Sequence, residues 1–191
     1  MRNALLYFAL IGLAQIAAQG QTQEPIVVQV EVANPTSLPA LQRPATPSQI
    51  REYLSQSGEL DAYRLRWIAA VDKNRSVGAP YWPESFWRSI KASMQSADLL
   101  PMYITWYQHT VSEEVMQRVL AAYKANGAAH FQGSPACFEL GAAQLPFQPE
   151  MDKLTLANTL AVIQQVYAVY KPQIKAARTT YLAAHPDYVD R

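Results

Sequence analysis

His109 and Glu113 stand four residues apart, a spacing that can put two metal ligands on one face of a helix. Their surroundings spoil the pair. Thr110 and Glu113 also have the T-x-x-E spacing of a capping box, in which the threonine opens a helix and the glutamate turns back to cover a free N–H at its start. On that pattern His109 lies outside the helix and Glu113 is already occupied. Cys137 is the only cysteine, so no internal disulfide forms, and it gains a base only if the fold brings one of three scattered histidines to it. No zinc spacing, no G-x-S-x-G elbow and no phosphate-cradling glycine cluster occurs. These residues point away from an enzyme, and neither a metal nor a cofactor is expected. Two other sets suit binding. Lys171, Lys175 and Arg178 recur at i, i+4 and i+7, a basic stripe that fits an acidic partner, a lipid headgroup or simply solvent. Trp67, Trp82, Trp87, Trp106, Tyr107 and Tyr123 have the helical spacing of core residues, yet aromatic groups of this kind also line grooves. Trp82, Trp106, Tyr107, Lys171, Lys175 and Arg178 are therefore the candidate partner or ligand surface.

The elements that must position these residues read as helices throughout. Thr46-Pro47 is an N-cap followed by a proline in the first turn, and Ser57-Gly58 closes a short helix carrying Ile50, Tyr53 and Leu54. A second helix, about 59–73, sets Leu60, Tyr63, Trp67, Ala70 and Val71 on one side. A third starts near Pro83-Glu84 with Trp87, Ile90 and Met94, and Asp98 caps a fourth that runs to Tyr107. A fifth spans 110–127, with Val115, Met116, Val119, Leu120 and Tyr123 as its apolar stripe and Gly127 at its C-cap. Gly133-Ser134-Pro135, Gly141, Pro146 and Pro149 mark a long connection over 128–150. The last helical region, 151–188, buries Leu156, Leu160, Ile163 and Tyr167, and Pro172 kinks or splits it. The expectation is a single all-α, bundle-like domain of about six helices over 47–188.

Ahead of that domain lie two other segments. Arg2, the apolar run Ala4 to Ala18 and the small residues of Ala18-Gln19-Gly20 outline a cleavable signal peptide over 1–20. The run is shorter than the ~20 apolar residues of a membrane span, and no later segment is long and apolar enough to provide one. Residues 21–46 carry Pro25, Pro35, Pro39 and Pro44, which no helix survives, so this is read as a flexible, disordered tether. Within it Ile26 to Val32, IVVQVEV, is β-branched like a strand and could dock on a partner's sheet edge. Losing Arg2 with the signal leaves 15 basic and 15 acidic side chains. That balance argues against nucleic acid as a partner.

The run DLLPMYITWYQHTVSEEVMQRVLAAYK resembles domain of unknown function 2059, a family of exported bacterial proteins. Matching positions are Leu99, Leu100, Tyr107, Thr110, Glu113, Glu114, Tyr123 and Gly127, with Ser57-Gly58 and Pro83-Glu84-Ser85-Phe86-Trp87 upstream. The likeness covers 48–131. Ala122 departs from the family's first aromatic, and Ala125-Asn126 from its Ser-Pro. The resemblance implies an all-helical exported domain, periplasmic or secreted, and carries no catalytic residues. The leading functional expectation is a non-catalytic interaction module of the bacterial envelope that binds another envelope protein or itself. The alternative is a binder or sensor of an apolar small molecule in an inter-helix groove. A hydrolase using Cys137 or a histidine comes last.

Overall fold

The computed structural model describes residues 24–35, 38–75 and 78–189. The expected signal peptide lies outside them. The protein is all-α. Among the described residues seven helices follow in order: α1 Pro47–Ser57, α2 Glu59–Arg75, α3 Glu84–Ser96, α4 Leu100–Thr110, α5 Glu113–Phe131, α6 Pro135–Gln144 and, after a 3₁₀ turn at Leu145–Phe147, α7 Gln148–Ala184. Among the described residues there is no β-strand, only an isolated bridge between Pro44 and Ser112. No helix among them is long and apolar enough to cross a membrane.

α1 forms as its punctuation requires. The Thr46 hydroxyl accepts from the Gln49 N–H at 3.3 Å, the Gln49 side chain covers the Thr46 N–H at 2.8 Å, and Gly58 ends the helix at φ 65°. The start of α5 is different from the expected capping box. Thr110 is the last residue of α4 and donates its hydroxyl to the Trp106 carbonyl at 2.9 Å. The N-cap is Ser112, whose hydroxyl accepts from the Val115 N–H. Glu113 is therefore the first helical residue and cannot reach back as a box requires. Its own N–H donates to the Arg43 carbonyl at 2.9 Å. Gly127 does interrupt α5, at φ 67° and ψ 172°.

The 128–150 connection, whose structure the residue order left open, is largely helical. Ser134 caps α6 by accepting from the Cys137 N–H at 3.2 Å, and Pro135 fills the first turn. Ser-Pro here does what Thr46-Pro47 does in α1: a proline at a helix start needs no N–H and so opens a helix rather than breaking one. Pro172 lies inside α7, which continues past it.

Contacts divide the described residues into two compact units. One gathers 24–30, Ile68–Ser96 and 162–189; the other gathers 31–67 and Ala97–Ala161. In the first, Phe86, Ile90 and Met94 of α3 and Val162, Val166 and Tyr170 of α7 are fully or almost fully buried. The Phe86 and Tyr170 rings meet edge to face at 5.9 Å. Gly78 is needed for close approach, since a Cβ there would stand 2.9 Å from the Trp87 ring. In the second, Ile50, Met102, Tyr107, Val111, Met116 and Val119 form the solvent-free centre.

The described part of the proline-rich segment forms neither helix nor strand, as its composition dictates, but it is anchored. In the first unit Ile26 and Val28 donate their N–H groups to the hydroxyls of Ser89 and Ser93. In the second, Ala33 donates to Asn158 Oδ1 at 2.8 Å and Ala45 to the Val111 carbonyl at 2.9 Å. Leu38 and Ala45 are buried there.

Candidate functional site

The most unusual chemical environment lies in the second unit, around Glu59. This glutamate opens α2 immediately after the left-handed Gly58, so the α1–α2 turn delivers its side chain inward rather than to open solvent. Tyr107 of α4, with no exposed surface, donates its phenol to Glu59 Oε2 at 2.6 Å. The Tyr53 phenol of α1 lies close enough to act on the same carboxylate and on Tyr107, and the Gln144 side chain at the end of α6 close enough to act on the Tyr107 phenol. The rings support one another. Tyr53 and Tyr107 have centroids 5.4 Å apart, Tyr53 and Tyr123 5.7 Å, and Tyr63 and Tyr103 5.6 Å. Phe131 stacks on Tyr123 at 4.1 Å, and the Tyr63 hydroxyl donates to Thr155.

Burial dominates the electrostatics. Loss of water raises the Glu59 carboxyl above the usual carboxylate range; the phenols of Tyr107 and Tyr53 and the charge of Arg66 offset part of that rise. Burial, followed by the negative charge of Glu59, pushes the phenols of Tyr53, Tyr103 and Tyr107 upward. These tyrosines therefore stay protonated near neutral pH and serve as donors, not bases. The cluster can hold a proton at Glu59 and can fasten α1, α2, α4 and α6 to one point. It does not expose a nucleophile.

The expected site residues scatter. Trp106 is 3 % exposed and Tyr107 0 %, so neither belongs to a surface; both sit on the inner face of α4, where helical spacing puts core residues. Trp82 is half-buried, stacked on Trp87 at 5.4 Å and near Tyr167 at 6.5 Å. Lys171, Lys175 and Arg178 are exposed on α7. His109 ends on the outside of α4, its Nδ1 3.0 Å from the Pro39 carbonyl oxygen, and Glu113 belongs to the next helix. Cys137 is a free, half-buried thiol, and no hydrogen bond joins it to a histidine among the described residues. No three His, Cys, Asp or Glu side chains converge among those residues. Glu59 itself escaped the sequence reading, because a glutamate in a first helical turn looks like an ordinary dipole-favouring surface acid. The available signal was its position directly after Gly58, at the left-handed turn between α1 and α2.

Of the straight stripe expected as the core of the last helix only Ile163 is half-buried; the rest does not face inward. Leu156 and Leu160 are 59 % and 47 % exposed, and Tyr167 is exposed as well. The buried line of α7 is Leu154, Asn158, Val162, Val166, Tyr170 and Ile174. No family model matches the chain, and neither a curated protein nor a solved structure matches it.

Proposed function

We propose that the protein is an exported, non-catalytic helical module of the bacterial envelope that binds a protein partner through the outer face of α7. The observation that carries this is the pair Leu156 and Leu160, one helical turn apart and largely exposed, on a helix that has already satisfied its packing with another face. The apolar N-terminal run with its small-residue cleavage site and the likeness of 48–131 to domain of unknown function 2059 support export. The balanced charge favours an apolar over an electrostatic mode of recognition. The Glu59 cluster supports a non-catalytic reading because its carboxylate is already engaged by the fully buried Tyr107. The small-molecule alternative loses two of its aromatic candidates, Trp106 and Tyr107, to the core.

The test is cross-linking and affinity capture from native envelope extracts with the wild-type chain and a Leu156→Ser/Leu160→Ser variant. A specific adduct formed by the wild type and lost in the variant, with unchanged melting, is the expected result. A wild-type chain that captures nothing, or an adduct indifferent to both substitutions, defeats the reading.

A further inference from the structure

Residues 26–30 run extended along α3, although no β-strand is formed among the described residues. Ile26 donates its N–H to Ser89 Oγ at 2.8 Å and Val28 donates to Ser93 Oγ at 3.0 Å. Two strand residues advance about 6.6 Å and four helical residues about 6.0 Å, so a serine on each successive turn of α3 meets every second N–H of an extended chain. The anchors are themselves fixed. Ser89 Oγ is 2.9 Å from the Tyr170 hydroxyl, and Ser93 donates to the Ser89 carbonyl at 2.7 Å; both serines have no exposed surface. Burial alternates accordingly: Ile26 and Val28 are half-buried and Val30 buried, while Val27, at 51 % exposure, and Gln29 face out.

In an extended chain, successive N–H and C=O pairs point to opposite edges. One edge, that of Ile26 and Val28, meets the serines. The other carries the main-chain groups of Val27 and Gln29, which make no hydrogen bond among the described residues. Main-chain groups left open along a docked, extended segment are a template for another strand.

We propose that this edge pairs with the same segment of a second copy, antiparallel about Val28. The segment is complementary to itself in that register. Val27 of each copy faces Gln29 of the other, so both open residues exchange N–H···O bonds in both directions. Val28 then faces Val28 and Ile26 faces Val30, the β-branched pairs that stabilise antiparallel neighbours. Pro25, which has no N–H to offer, falls opposite Glu31, so the pairing ends there and no like charges meet. A formal net charge of +1 adds little repulsion between copies. The inference deepens the interaction reading but uses a different surface from Leu156 and Leu160, so the Leu156→Ser/Leu160→Ser variant keeps self-association whatever its effect on partner capture.

The test is sedimentation equilibrium of the full chain over a range of concentrations, with hydrogen exchange read at the same concentrations. The wild type should dimerise, and the Val27 and Gln29 amides should gain protection as the dimer fills. Gln29→Pro removes the central donor and should weaken dimerisation about tenfold or more; Gln29→Thr keeps the N–H and should leave it intact. Continued protection of the Ile26 and Val28 amides shows that the proline variant keeps its strand docked; if it does not, the wild-type exchange result decides alone. A chain that stays monomeric, or a dimer whose Val27 and Gln29 amides exchange freely, overturns the proposal. So does protection of those amides only by a different protein.

Discussion

Glu59 is where a single residue departs furthest from its intrinsic chemistry. A glutamate whose folded pKa is raised binds its proton more tightly in the native chain than in the unfolded one. Its contribution to stability is therefore complete below the unfolded value of about 4.3 and is lost as pH rises through the higher folded value. Glu59→Gln keeps an oxygen to accept from Tyr107 and removes the desolvated charge. Thermal melts at acidic and neutral pH should show a smaller loss on raising the pH than in the wild type, and a neutral-pH Tm equal to or above it. A variant that is less stable at neutral pH with the slope intact would mean that the charge itself is stabilising. Tyr107→Phe is the complementary change. It leaves the carboxylate without its 2.6 Å donor and should cost roughly 1–3 kcal/mol in urea denaturation. None of this is written locally: Glu59 and Tyr107 are 48 residues apart.

At the scale of elements, the local punctuation was readable where it was unambiguous. Thr46, Pro47 and Gly58 bound α1 as read, because a cap acts on N–H groups within one turn of itself. The misplacement of the α5 cap shows the limit of the same signals. Thr110 and Ser112 both precede the acidic pair, and either is a competent cap by type. Continuation of α4 to Thr110, and the pairing of Arg43 and Ala45 with the backbone at Val111 and Glu113, select Ser112. Ser112→Ala should therefore cost ~1 kcal/mol by chemical denaturation. The α7 stripe failed for a different reason. Leu156, Leu160, Ile163 and Tyr167 follow the 3.6-residue repeat of a straight face. The buried residues from Leu154 to Ile174 recur every four, and each such step overshoots a full turn by about 40°, so the buried line winds around the helix. Periodicity finds straight stripes and misses a winding one.

For the whole molecule, the proline-rich segment changes the account most. Its irregularity follows from composition, but its attachment does not. Ser89, Ser93 and Asn158 are buried polar residues that each accept a hydrogen bond from its backbone. Removing the chain up to residue 46 would take away the buried Leu38 and Ala45 and leave those acceptors short of partners, at roughly 1–3 kcal/mol for each group orphaned. The truncated protein should melt well below the full chain by circular dichroism; an unchanged Tm would make the segment a passenger. Helix content, most boundaries and the absence of metal-ligand spacing depend on neighbours within a turn or two, and could be read from residue order. Which apolar face stays outside, which serines grip the N-terminal segment and which carboxylate loses its water depend on residues dozens of positions away. Burial is set by what packs over a group, not by the group itself, so these were decided only when the helices came together.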